Sequence, residues 1–396
     1  MTVWDAVVGQ DRIVASLSDS AQAARATLRG EVLDEHRARL MTHTWLFTGP
    51  PGSGRSVVAE AFAAALQCPD AGCGHCPTCR QVKAGTNPSV RFVRALRLSY
   101  GVDEARELVT WTASRPPVGS WRIVVIEDAD RLTEQAANAL LKVLEEPPPR
   151  VVWLLCAPST EDLLATVRSR ARVVRLTTPS RAAITDFLQT TADVDPAMAA
   201  YAARAAQGHI GRAKALALSE GARSHRKGVL ATTRRLDTLA GCYAAAADLH
   251  DAAKARGEAG AEKREAAEVD EVLRGFGSGA QGVRRGRVQA LARRAVKSLQ
   301  DDQAKRRTRA LRDELDRDLV DLLAYYRDVL AVQARADVEL VNEEDRPQVE
   351  AMAANSEPSM TVQRMAIIEQ TRLALASSVT PLVALEAMTT RLSGRV

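Results

Sequence analysis

The chain has 396 residues, 46% of them apolar, and 54 basic against 49 acidic side chains give a net charge of +5 and a pI near 9.0. That length supports two or three cores rather than one. No apolar run is long enough to cross a bilayer and no charged-then-apolar leader opens the chain, so the expectation is a soluble, cytoplasmic protein without membrane contact. The near balance of charge suits nucleic acid or an acidic partner and demands neither.

Taken in order, Trp4 to Gln10 leads into a helical pattern with Ile13, Val14 and Leu17 on one face. A second helix is predicted from Ala21 to Leu28, before a charged stretch from Glu31 to Arg39. The apolar run Thr44-Trp45-Leu46-Phe47 then precedes Gly49-Pro50-Pro51-Gly52-Ser53-Gly54-Arg55-Ser56, and an Ala-rich helical run follows from Val57. Strand, glycine loop and helix start stand in the order of a phosphate-binding loop, G-x-x-x-x-G-K-[ST], with one substitution. In such a loop the backbone of Gly49, Gly52 and Gly54 would curl round phosphates and Ser56 would hold Mg²⁺, but Arg55 occupies the lysine position. A guanidinium keeps the charge yet is planar and wider than an ammonium, so the loop predicts the fold more firmly than ATP or Mg²⁺ binding.

Four of the six cysteines, Cys68, Cys73, Cys76 and Cys79, fall within twelve residues. Two overlapping C-x-x-C steps and a Gly-containing loop bring four thiolates within reach of one tetrahedral Zn²⁺, a structural site because no coordination position stays open. His75 is read as a loop residue, since the four sulfurs complete the set. Cys156 and Cys242 lie in apolar or Ala-rich surroundings and read as buried small hydrophobes.

Arg122 to Ile126 reads as a buried parallel strand ending at Glu127-Asp128, where a P-loop fold places its Mg²⁺-binding and water-activating carboxylates. The usual order is Asp then Glu, and here it is reversed. A helix follows from about Leu132, with Leu140, Leu141 and Leu144 as its packed face and Pro147 to Pro149 as its stop. Val151 to Cys156 is a further buried strand, and Val173 to Leu176 another after the arginine-rich Thr166 to Arg172.

These motifs, and above all Asn138-Ala139-Leu140-Leu141-Lys142-Val143-Leu144-Glu145-Glu146-Pro147-Pro148, resemble the AAA+ subunits of the bacterial sliding-clamp loader, within that family the delta-prime branch. The resemblance implies an α/β P-loop (AAA+) domain over residues 1–178 with a zinc module at 68–79, a small helical lid over 179–222, and an all-α collar over 223–396. It also implies that Ser169 and Arg170 form the family's Ser-Arg-Cys element, with Ala171 in place of the cysteine, and that Arg170 is a finger reaching ATP on the neighbouring subunit. In the lid, Gln207 to Ala213 is similar to the motif whose arginine senses nucleotide; Gly211 holds that place, with Arg212 one step off. Arg55, the reversed acids and Gly211 together imply a subunit that lends an arginine and hydrolyses no ATP itself, within a DNA polymerase holoenzyme whose partners do. The implied partners are the delta and gamma/tau subunits, the sliding clamp weakly or indirectly, and primer–template DNA through the assembled complex.

Beyond Ser224 the pattern is helical. Gly257 to Gly282 reads as a mobile connection, and a basic insertion at 283–312 follows, including Arg284, Arg285, Arg287, Arg293, Arg294 and Lys297. Its mixed signs and lack of aromatics favour a solvated helix face over DNA contact. The core stripe continues through Leu311, Leu315, Leu319, Leu322, Tyr326 and Leu330, and Val379 to Ala387 resembles the family's last collar helix. Two alternatives stay open: an active gamma/tau-like motor ATPase of the same loader, and a zinc-dependent DNA-binding module on a dead nucleotide fold.

Overall fold

Short runs of residues that are buried on both faces pair here as a parallel sheet, the arrangement such runs require. The computed structural model describes residues 2–93, 100–114, 116, 121–259, 261–275, 285–377 and 379–394. Among these, residues up to Leu218 form one unit and those from Ser219 a second.

In the first unit the chain runs through α1 (Asp11–Leu28), α2 (Glu35–Ala38), β1 (Thr44–Thr48), α3 (Arg55–Gln67), α4 (Pro77–Lys83), β2 (Val90–Val93) and α5 (Val102–Ala113). It continues through β3 (Arg122–Ile126), α6 (Glu134–Glu145), β4 (Val151–Ala157), α7 (Ala165–Arg168) and β5 (Arg172–Arg175), then α8 (Arg181–Ala192), α9 (Pro196–Ala205) and α10 (Ile210–Leu218). The sheet order is β2-β3-β4-β1-β5, with every pair parallel. Alternation along the strands makes two cores. Trp45, Phe47, Ile123, Val125 and Leu154 pack on Leu17, Val58, Phe62 and Leu66 on one face. On the other, Leu46, Val124, Ile126, Trp153 and Leu155 pack on Leu108, Leu140 and Leu144.

Two sequence expectations give way here. The two predicted N-terminal helices are the single helix α1. Its polar midpoint is tolerated because Ser20 Oγ donates to Ser16 O at 2.9 Å and to Leu40 O at 3.1 Å, while Ala21, Ala23 and Ala24 are buried. The stretch read as a mobile connection is mostly helix: α12 runs from Leu239 to Glu258 and α13 from Ala261 to Gly275. Residues 276–282 of that reading, and Arg284 of the basic insertion, lie outside the described residues.

The second unit is all-helical, with α11 (Glu220–Ala231), α12, α13, α14 (Arg285–Gln333), α15 (Arg346–Ala354), α16 (Pro358–Ala376) and α17 (Pro381–Leu392). The predicted stripe supplies its centre, where Leu315, Leu319, Leu322 and Tyr326 are buried with Cys242, Val329, Ile368, Leu385 and Met388. A buried polar knot fixes the register: Arg226 Nε donates to Asp321 at 2.9 Å and Asn342 Nδ2 to Asp328 at 2.8 Å. Removing one partner of such a pair leaves the other charge buried and uncompensated.

Candidate nucleotide loop, arginine element and four-cysteine centre

The glycine loop leaves the C-terminal end of β1 and enters α3, as its residue order requires. Gly49, Gly52 and Gly54 all have positive φ, so the backbone takes a course that side chains rarely permit. Protein groups lie close against the loop. The Arg55 guanidinium folds back and donates through Nη1 to Gly49 O, the carbonyl that opens the loop. A Cβ on Gly52, at φ +87°, would stand 2.7 Å from His209 Cα, because the turn into α10 lies directly on the loop. Ser53 is 1% exposed and its hydroxyl has no hydrogen-bond partner among the described residues. Ser56 sits half-buried in the first turn of α3.

The carboxylates are delivered where the sequence placed them. Glu127 follows β3, its N–H bonding Val93 O at 3.1 Å, and Asp128 Oδ2 lies 4.0 Å from Arg131 Nε. Asp130, which motif spacing does not single out, has its carboxyl pushed up by burial, with Asp128 adding to the shift. Cys156, at the end of β4, reports how these groups converge. Burial pushes its thiol up, Glu127 pushes it further, and Arg55 pulls the other way. Gln10 is a site-forming residue whose role sequence reasoning missed: its amide donates to Thr177 O at 2.6 Å and accepts from Thr177 N at 3.4 Å. The pairing ties the first turns of the chain to the segment entering α8. Just before α10, Gly208 has φ +89° and a Cβ there would meet Thr178 Cγ2 at 2.0 Å. The His209 ring accepts from Arg212 N at 3.2 Å through Nδ1, and Gly211 is exposed.

Ser169 and Arg170 lie just past α7. Arg170 Nη1 donates to Thr166 O at 3.0 Å and to Ser169 Oγ at 3.3 Å, and Nη2 pairs with Glu145 Oε2 at 3.0 Å. Glu145 is the last residue of α6, brought there by the helix that the three prolines stop. The Arg170 side chain is 30% exposed, so it is anchored yet reachable. Arg172 is spent differently, its guanidinium donating to Arg39 O at 2.6 Å and lying over the Trp45 ring at 5.0 Å.

The cysteines gather where α3 ends and α4 begins. Their four sulfurs all lie within 4.8 Å of one another, with Cys68 3.6 Å from Cys73 and 3.8 Å from Cys76. Sulfurs bound to one tetrahedral zinc at about 2.3 Å would stand roughly 3.8 Å apart, a spacing that the Cys68–Cys73 and Cys68–Cys76 separations match. Backbone donors complete the cradle: Asp70 N and Cys73 N point at Cys68 Sγ (3.3 and 3.4 Å), and Cys79 N at Cys76 Sγ (3.4 Å). The His75 N–H pulls the Cys73 thiol down to about 6, whereas burial pushes Cys68 and Cys79 up. His75 itself is exposed, its ring bonded to Cys73 O at 2.9 Å.

Residues 31–180 match the protein family described as DNA polymerase III, delta subunit. The chain is similar to DNA polymerase III subunit delta' of Pseudomonas aeruginosa, 36% identical over 163 residues that make up 40% of this chain and 50% of that protein. Its likeness to subunit delta' of Escherichia coli is 35% over 182 residues, 44% of this chain and 54% of that one. Subunit gamma/tau of Mycobacterium tuberculosis is 32% identical over 169 residues, covering 41% and 27%. The chain thus spans about half the length, or less, of these relatives. Among solved structures, a gamma subunit-related protein of Thermotoga maritima aligns over 89% of this chain and 94% of its own, at 16% identity and a TM-score of 0.41.

Proposed function

We propose that this chain, a clamp-loader family member close to the delta-prime subunits of DNA polymerase III, completes a loader ring and presents Arg170 to ATP held by an adjacent motor subunit. The observation that carries the reading is a contrast between two arginines. Arg55 is turned inward on its own loop, while Arg170 stands half-exposed at the end of α7 on a carboxylate tether. A guanidinium delivered from a neighbour meets the charge that develops on the transferred phosphoryl group, an effect worth roughly 10³–10⁵ in rate among nucleotide hydrolases. Ser169 and Glu145 would hold it in line until a stronger anion displaces the carboxylate. We keep the division into AAA+ domain (1–178), lid (179–222) and collar (223–396), with delta and gamma/tau subunits as partners and primer–template DNA reached through the complex.

Zinc at Cys68, Cys73, Cys76 and Cys79 belongs to the same proposal. The sulfur spacings and the three N–H donors support a closed, structural site that locks the turn between α3 and α4.

The test is Arg170→Ala in the reconstituted loader. DNA-stimulated ATP hydrolysis is expected to fall by at least about 10³ at the site it serves, with assembly intact by gel filtration. Undiminished turnover removes the finger role. ATP turnover by the purified chain alone, abolished by Arg55→Ala, would decide for the motor reading.

A further inference from the structure

The hairpin of α13 and α14 splits its charge unevenly along its length. Near the base the basic residues of α14 are answered from α13. Arg307 pairs with Glu265, its Nε lying 3.0 Å from Oε2, and Arg306 pairs with Glu268, Nη1 to Oε1 at 3.0 Å. Gln303 Nε2 donates to Glu265 O and to Glu268, each at 3.1 Å. This antiparallel register sets Gly275, the last residue of α13, across from about residue 297, so roughly the first ten residues of α14 reach past its partner helix.

That outer stretch is chemically different. From Arg285 to Gln300 the sequence carries Arg285, Arg287, Arg293, Arg294 and Lys297 with no acidic residue and no aromatic one. Arg293, Arg294 and Lys297 are exposed. Arg293 and Lys297 are one turn apart on the same face, about 6 Å along the axis, close to two phosphate rises of one DNA strand. Without aromatics the helix offers no platform for unstacked bases and no anchor typical of a protein interface. What remains is a cationic stripe matched to a regular line of phosphates.

We infer that Arg293, Arg294 and Lys297 form a direct contact for the phosphate backbone of duplex DNA at the outer end of this arm. The inference goes beyond the loader reading and leans on it only for the source of the duplex. The test is binding of a fluorescein-labelled duplex by the full chain alone, read by anisotropy from 50 to 200 mM salt, so that it does not depend on Arg170 or on any partner. Each phosphate contact contributes about 0.9 to the slope of log affinity against log salt. R293A/R294A/K297A is therefore expected to flatten that slope by two to three and to weaken binding at least tenfold at the low-salt end. The charge-preserving R293K/R294K is expected to retain both. Slope and affinity unchanged in the triple variant would overturn the contact. So would an unchanged slope accompanied by lost association with another loader protein, which would make the arm a protein-docking element instead.

Discussion

Two loops sit at opposite ends of one helix. The glycine loop feeds the first turn of α3 and the cysteine loop leaves its last, about 20 Å apart along a 13-residue rod. Both depend on glycines in conformations open to few other residues, and both have the outline of a ligand site. They differ in where their polar atoms point. In the glycine loop the cation bonds the loop's own carbonyl and the turn into α10 rests on Gly52. In the cysteine loop the sulfurs converge on a common centre with backbone N–H groups behind them. A motif describes the outline alone, and the direction of the side chains separates a site that satisfies itself from one arranged for a guest.

The widest gap between the two loops should appear on removing a sulfur. Cys79→Ser is expected to take bound zinc, measured by elemental analysis, from one equivalent to none. It should also lower the melting temperature by on the order of 10 °C, since metal affinity is folding free energy. Zinc retained at full stoichiometry would dissolve the contrast. A smaller loss is expected from Gly208→Ala, where a methyl would strike Thr178 and the positive φ would be strained. About 1–3 kcal/mol should go from denaturant unfolding, with zinc content unchanged. At the glycine loop, Arg55→Ala removes one hydrogen bond and should cost about 1 kcal/mol, leaving calorimetric ATP binding by the isolated chain undetectable before and after. Clear binding in the parent that disappears in the variant would make the loop a working site. Glu145→Gln should shift stability least, by under about 1 kcal/mol, because a half-exposed pair is screened. Its effect should instead appear in the assembled loader as a change of a few-fold in turnover.

Much of this was legible in the sequence because it rests on local chemistry. The strands at 44–48, 122–126 and 151–157, the proline stop of α6 and the crowding of Cys68 to Cys79 each follow from neighbouring residues. β2 gave no signal, since four residues with only one fully buried side chain do not alternate long enough to register. Nor could spacing reveal that Gln10 would pair with Thr177 across 167 positions, or that Glu145 would tether Arg170, because both contacts exist only after the sheet has formed. The ion pairing of the basic insertion was hidden for a related reason. Along the chain its acids and bases look interspersed, whereas the α13–α14 pairing engages Glu265 and Glu268 with Arg307 and Arg306 near its base.

α14 is 49 residues long, about 73 Å of uninterrupted helix, and among the described residues its first buried side chain is Gln303, held against α13. Its outer end therefore stands about 27 Å from where it is gripped. A rod held in that way is a lever: a tilt of five degrees at the grip moves the far end by about 2 Å, more than half the axial rise per phosphate of a strand. Small rearrangements in the core around Leu319 and Tyr326 would thus be magnified into displacements large enough to change which phosphates the far end can touch.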